Sequence, residues 1–227
     1  MSTAKVEVIS TPELLEHILA RLPIRDLLVT APLVCKTWQA VTLSPTLQRA
    51  LFFEPDPSAS VSAKRVQNTL LVEMFSPFFA FQKDDSSPWP GDTDSIMAMP
   101  WSKAPDVFKR AEASWRRMLV TQPPTQTVVV MQTSYNPVCA SDRRGVLNDV
   151  SLRMGVLYDL TLSLVDDATS FRIEWYNDTA LDADLTLFVT CSPGCMDEPE
   201  PLDERFCSDG AKPVEIAFEN WNVEMLY

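Results

Sequence analysis

"TPELLEHILARLPIRDLLVTAPLVCKTW", residues 11–38, holds seven leucines and is interrupted by prolines at 12, 23 and 32. Thr11 can cap a first helix, and Pro12 suits its first turn, where a missing N–H leaves no partner unsatisfied. Ser10 and Glu13 fit a capping box, which leaves the start open by one residue. Leu14, Leu15, Ile18, Leu19 and Leu22 recur at helical spacing, predicting a helix over 11–22 with a broad apolar stripe. Pro23 is expected to stop it and open a second helix carrying Leu27 and Leu28. Pro32 is expected to stop the second and open a third, with Val34, Cys35, Trp38 and Val41. Ser44 and Pro45 start a fourth short turn that ends near "LQRALFFEP".

Three helices in about 32 residues cannot each bury a full apolar stripe in one small core. Modules below about 40 residues usually need a metal, a disulfide or a partner. Apolar surface left after local packing marks a partner site. The stretch therefore leans towards an interface, with the remainder of the chain as the competing place to bury it.

The order and spacing of Pro12, Glu13, Leu14, Leu15, Ile18, Leu19, Leu22, Pro23, Asp26, Leu27, Leu28, Val34, Cys35, Lys36 and Trp38 resembles the F-box motif. Thr11 departs from it, since the family's first position is usually aliphatic, and Pro32 is unusual within it. Residues 113–124, "ASWRRMLVTQPP", and 153–160, "RMGVLYDL", look like segments of small F-box proteins of the fungal type. The resemblance implies an N-terminal three-helix module that docks on the Skp adaptor subunit of a cullin–RING ligase. It further implies that the rest of the chain recruits a protein substrate for ubiquitination, as the receptor of an SCF-type ligase. On that basis Pro12, Leu14, Leu15, Ile18, Leu22, Pro23, Leu27, Leu28, Val34, Cys35 and Trp38 carry over as adaptor-binding motif positions. Some touch the adaptor and some only hold the helices together. Two rivals stand beside this reading: an F-box scaffold working outside a ligase, and an enzyme or metal site hidden in residues 100–227.

The remaining 170 or so residues read as a mixed α+β domain without repeats. The boundaries expected are 8–54 for the helical module, a linker at 55–62 ("PDPSASVS") and a recruiting domain over 63–227. Helices are predicted over 64–75 and 107–119, and a long loop over 82–106. Strands are predicted at 127–133, 171–177, 185–190 and 214–218. Residues 147–164 are ambiguous; a helix over the first two-thirds is favoured, against the objection of Gly155.

Net charge is −12, concentrated in residues 145–227, whose balance is −13. Such a tail repels phosphate backbones, so a nucleic-acid partner is not expected. No apolar run reaches the roughly 20 residues of a membrane helix, and no secretory signal opens the chain, so an intracellular protein of cytoplasm or nucleus is expected. The five cysteines fit reduced thiols.

Other chemistry has thin support. His17 is the single histidine and lies in the first helix. "CSPGC" sets Cys191 and Cys195 at half a zinc site, with Cys207 downstream and Cys139 upstream, but the second half lacks paired spacing. A turn at Pro193–Gly194 flanked by free thiols is the alternative. Five glycines, none in a phosphate-cradling loop, provide no nucleotide site. The acidic pairs Asp166–Asp167, Asp182/Asp184 and "DEPEPLDE" at 197–204 lack a companion base. Arg116–Arg117 and Arg143–Arg144 read as surface charge or as a site for an acidic ligand. Neither a cofactor nor a catalytic residue is expected.

Overall fold

The computed structural model describes residues 11–58, 64–79, 104–135, 139–148, 151–164, 169–176, 183–191, 214 and 216–225. The chain is mixed helix and strand and divides into two compact units. The first takes Met1–Met74 and Met118–Pro124; the second takes Phe75–Arg117 and Thr125–Tyr227. Among the described residues no helix is long and apolar enough to cross a membrane.

The first unit opens with α1 (Pro12–Leu19), with Thr11 at its N-cap and Pro12 in its first turn. Then come α2 (Asp26–Thr30), a π-helical turn, α3 (Ala31–Val34), α4 (Lys36–Val41) and α5 (Pro45–Ala50). One expectation is corrected here. Pro32 does not separate a second helix from a third, because α2 runs directly into α3. The widened turn, in which the Ala31 N–H donates to Asp26 O, accommodates the proline without a break. The break falls instead at Cys35, whose extended backbone parts α3 from α4.

Leu15 and Leu19 of α1 pack with Leu27, Ala31, Leu47 and Leu51 into one buried cluster. Leu22, Ile24, Leu28, Trp38, Val41 and Phe53 close its margin. The chain then turns at Phe52, whose backbone is left-handed at φ 61°.

Two later segments complete this unit. Strand β1 (Val66–Gln67) pairs antiparallel with β2 (Thr121–Gln122), Val66 opposite Gln122. Helix α6 (Thr69–Met74) follows β1, so the helix expected over 64–75 is confined to its second half. Asn68 sets that start: its Oδ1 accepts from the Leu70 and Leu71 N–H groups at 3.1 and 3.3 Å. The Leu119 N–H donates to Phe52 O at 2.7 Å, and the Asn68 N–H donates to Val120 O at 3.0 Å.

The second unit contains α7 (Ser76–Phe79), α8 (Pro105–Phe108), α9 (Ser114–Arg117) and α10 (Met154–Leu164). Its sheet is built from β3 (Thr127–Tyr135), β4 (Cys139–Asn148), β5 (Thr169–Trp175), β6 (Leu185–Cys191) and β7 (Phe218–Met225). The strand order is β5-β6-β3-β4-β7. The central β3 and β6 run parallel, and every other pairing is antiparallel. Alternation places Val128 and Val130 on the same face as Leu185, Leu187, Val189, Phe171 and Ile173, and all seven are buried. Phe78 joins this layer to the helices. Its ring lies 5.2 Å from Phe171 and 6.4 Å from Tyr158 of α10.

The strands expected at 127–133, 171–177 and 185–190 are present as β3, β5 and β6. Four other expectations are corrected. The helix over 107–119 is two short pieces, α8 and α9, and Leu119 is drawn into backbone bonding with Phe52 instead. In 147–164 the helix takes the later part, because Leu147 and Asn148 are held in β4 opposite Val128 and Thr127. The last strand starts at Phe218, at the end of the expected span. β4 was not expected at all, since "CASDRRGVLN" lacks strand periodicity; pairing on both sides, with β3 and β7, holds it extended. The loop at 82–106 lies mostly outside the described residues.

Gly155 sits inside α10 for a local reason. A Cβ there would lie 2.9 Å from the Arg116 carbonyl oxygen, so the helix and α9 approach as closely as a bare Cα permits.

Candidate partner-binding surface

Helix α1 divides its apolar stripe between two environments. Leu15 and Leu19 point into the core, and Leu14 and Ile18, one turn apart, are 46% and 43% exposed. Val29, Leu33 and Val34 of α2 and α3 are exposed as well, Leu33 to 80%. Leu43, in the turn before α5, is 71% exposed. Six large aliphatic side chains thus stay in water within 30 residues, although the same segment owns a complete core. Burying one such side chain fully yields about 1.5–3 kcal/mol. That free energy is open to a partner and is not used by this unit.

The helices under this surface are held by polar ties. Ser44 caps α5, its Oγ accepting from the Leu47 N–H at 3.4 Å. The same hydroxyl donates to Glu16 Oε1 of α1 at 2.7 Å. Hydrogen bonds from Ser44 first, and from Thr46, hold the Glu16 carboxyl below its ordinary range. At the far end of α5 the Gln122 carboxamide donates to Arg49 O at 2.9 Å and Glu54 O at 3.0 Å. Arg25 and Glu73 form an exposed pair at 3.6 Å.

A four-helix segment with its own core and this exposed aliphatic set coincides with a known family. Residues 12–54 match the model of the F-box-like domain. The segment is an F-box-like domain. No curated protein matches the chain, and no solved structure matches it either.

Within the F-box-like domain the eleven motif positions fall into three environments. Leu15 and Leu27 are buried in the core. Leu22, Leu28 and Trp38 are half-buried against it. Pro12, Leu14, Ile18, Pro23, Val34 and Cys35 are exposed. Sequence reasoning missed Val29, Leu33 and Leu43, which are more exposed than Leu14 but stand outside the motif pattern. It also missed Ser44–Glu16 and Gln122, which join segments too distant in sequence for any local periodicity to register.

The other sequence candidates fare as follows. Cys195 and Cys207 lie outside the described residues, as do Asp166–Asp167, Asp182 and residues 197–204. Cys139 and Cys191 belong to β4 and β6, but their side chains are not among those described. Among the described residues no group of three His, Cys, Asp or Glu side chains is arranged to hold a metal ion. His17 is exposed on α1. Asp184 accepts from the Gln126 and Thr127 N–H groups, a backbone-holding role at the entry to β3. Arg143 lies over the Phe218 ring, 5.0 Å from its centroid. Arg116 is not the surface charge that was expected. Its side chain is only 9% exposed, pairs with Asp159 of α10 and lies 5.1 Å from the Trp115 ring centroid.

Proposed function

We propose that this chain is the substrate-recognition subunit of an SCF-type ubiquitin ligase. The F-box-like domain, taken as residues 8–54, docks on the Skp adaptor and through it on a cullin–RING assembly. The recruiting domain is drawn from residues 63–227 and holds a protein substrate. F-box proteins are in general adaptors, so the transfer chemistry is assigned to the cullin–RING partners and none to this chain. The reading places the protein in cytoplasm or nucleus, with no nucleic acid or membrane among its partners.

The observation that carries this reading is the set of exposed aliphatic residues on a segment that matches the F-box-like family. Leu14, Ile18, Val34 and Cys35 are motif positions that the core does not consume. Pro12 and Pro23 shape the ends of the helices that present them. Leu15 and Leu27 serve the same interface from inside, as its scaffold.

The test is co-expression of the full chain with the Skp adaptor, wild type against Leu14→Asp plus Ile18→Asp. Wild type retains the adaptor and a cullin, and the double variant loses both while keeping its far-UV circular dichroism. A folded wild-type chain that leaves the adaptor behind would overturn the reading. Adaptor without cullin would move the protein outside the ligase.

A further inference from the structure

Ser44 shares one hydroxyl between two helices. The oxygen accepts from Leu47 N–H of α5, and the hydrogen goes to Glu16 of α1. Glu16 follows the buried Leu15, and Leu15 and Leu19 share a core with Leu47 and Leu51 of α5. The Ser44 tie therefore closes the edge of the very packing that holds α1 in place. A carboxylate only accepts hydrogen bonds, so the tie exists only while Ser44 keeps its hydroxyl hydrogen.

The sequence at this point is Leu43-Ser44-Pro45-Thr46. Leu43, Pro45 and Thr46 are exposed and Ser44 is half-buried, so a Ser–Pro dipeptide stands on a surface turn. We propose that Ser44 is a phosphorylation site for a proline-directed protein kinase, and that its modification breaks the Ser44–Glu16 tie, loosens α1 against α5 and weakens adaptor docking. The proposal rests on the adaptor reading above for its effect, but not for its chemistry.

In the modification, Ser44 Oγ attacks the γ-phosphorus of ATP. The new O–P bond forms as the bond to the β,γ-bridging oxygen breaks, ADP leaves, and the hydroxyl proton passes to a base of the kinase. The product brings about −1.5 to −2 charges and acceptor oxygens in place of a donor. It can still receive the Leu47 N–H, so α5 keeps its cap. It cannot donate to Glu16, and the two anions now face each other across the former hydrogen bond, with Thr46 left as the donor from α5 to Glu16.

The experiment uses the full chain in three forms: wild type, Ser44→Ala, and Ser44 replaced by genetically encoded phosphoserine. Wild type is treated with a proline-directed kinase and ATP, and labelled sites are mapped by mass spectrometry. Adaptor affinity and amide hydrogen exchange over residues 12–19 are then measured. Labelling at Ser44 is expected. So is a loss of about tenfold in affinity for the phosphoserine form, the equivalent of one charge-assisted hydrogen bond. Faster exchange in α1 should accompany it, and Ser44→Ala should fall between the two. Labelling at Thr11 or Ser76 but not at Ser44 overturns the site. Unchanged affinity and exchange in the phosphoserine form overturn the switch. If unmodified wild type does not bind the adaptor, the functional reading fails, and exchange over α1 alone decides whether the tie is broken.

Discussion

The carboxamide of Gln122 donates to the carbonyl oxygen of Arg49, 2.9 Å away and 73 residues earlier in the chain. Its second bond, to Glu54 O, closes the end of the F-box-like domain. Gln122→Ala removes both bonds and is expected to lower the stability of the first unit by roughly 1–2 kcal/mol. Amide exchange over residues 45–54 reads this directly, and protection there should fall while that of β3 and β6 is unchanged.

Leu14 and Leu15 are neighbours in sequence and belong to different environments. Leu15→Ala leaves a cavity against Leu47 and is expected to cost about 2–5 kcal/mol. Leu14→Ala is expected to cost under about 0.5 kcal/mol in the free chain, because it vacates no core space. Urea unfolding of the two single variants checks the contrast, and equal losses would contradict the division of the α1 stripe.

Arg116 and Asp159 form an enclosed ion pair, with side chains 9% and 17% exposed. Removing one partner strands the other charge. Asp159→Ala is expected to destabilise the second unit by about 3–5 kcal/mol, well above the 0–1 kcal/mol of a surface pair such as Arg25–Glu73. Thermal unfolding of the two charge-removal variants, Asp159→Ala and Glu73→Ala, measures the difference.

Glu16 gives the first unit a dependence on pH. Its carboxyl is held below the ordinary value of 4.5, chiefly by the Ser44 hydroxyl. A lowered carboxyl contributes stability that is present above the unfolded value and is lost as pH falls through the folded one. The stability gap between wild type and Ser44→Ala should therefore be larger at pH 7 than at about pH 3. A residual gap from the α5 cap should remain in acid. Exchange over residues 12–19 at the two pH values reads it, and a gap that widens in acid would reverse the sign.

Local rules sufficed wherever a segment's own pattern decided its structure. Pro12 and Pro45 open helices, and Val128–Val130, Phe171–Ile173 and Leu185–Val189 lie in strands, as their composition predicts. The spacing of Leu14, Leu15, Ile18 and Leu19 marked a helix with an apolar stripe, but not which of them stay exposed. The failures share one cause, which is pairing with something remote. Residues 139–148 have no strand pattern but lie between β3 and β7. Leu119 leaves a helical pattern because Phe52 O accepts its N–H. Arg116 reads as surface charge until Asp159, 43 residues on, is brought to it. Which leucines of the first stretch face inward depends on Leu47 and Leu51, and no spacing rule within residues 11–38 contains them.

The clamp at Gln122 also sets an order of events during synthesis. A chain emerges from the ribosome at about 5–20 residues per second. The 73 residues between Arg49 and Gln122 therefore impose a wait of roughly 4–15 s. Throughout it the F-box-like helices are outside the tunnel with the carbonyls of Arg49 and Glu54 unclaimed and the Leu33 and Leu43 side chains bare. A nascent chain in that interval offers to chaperones the same aliphatic surface that the finished protein leaves exposed. On the proposed function, an adaptor abundant enough to arrive first would be a folding factor as well as a binding one.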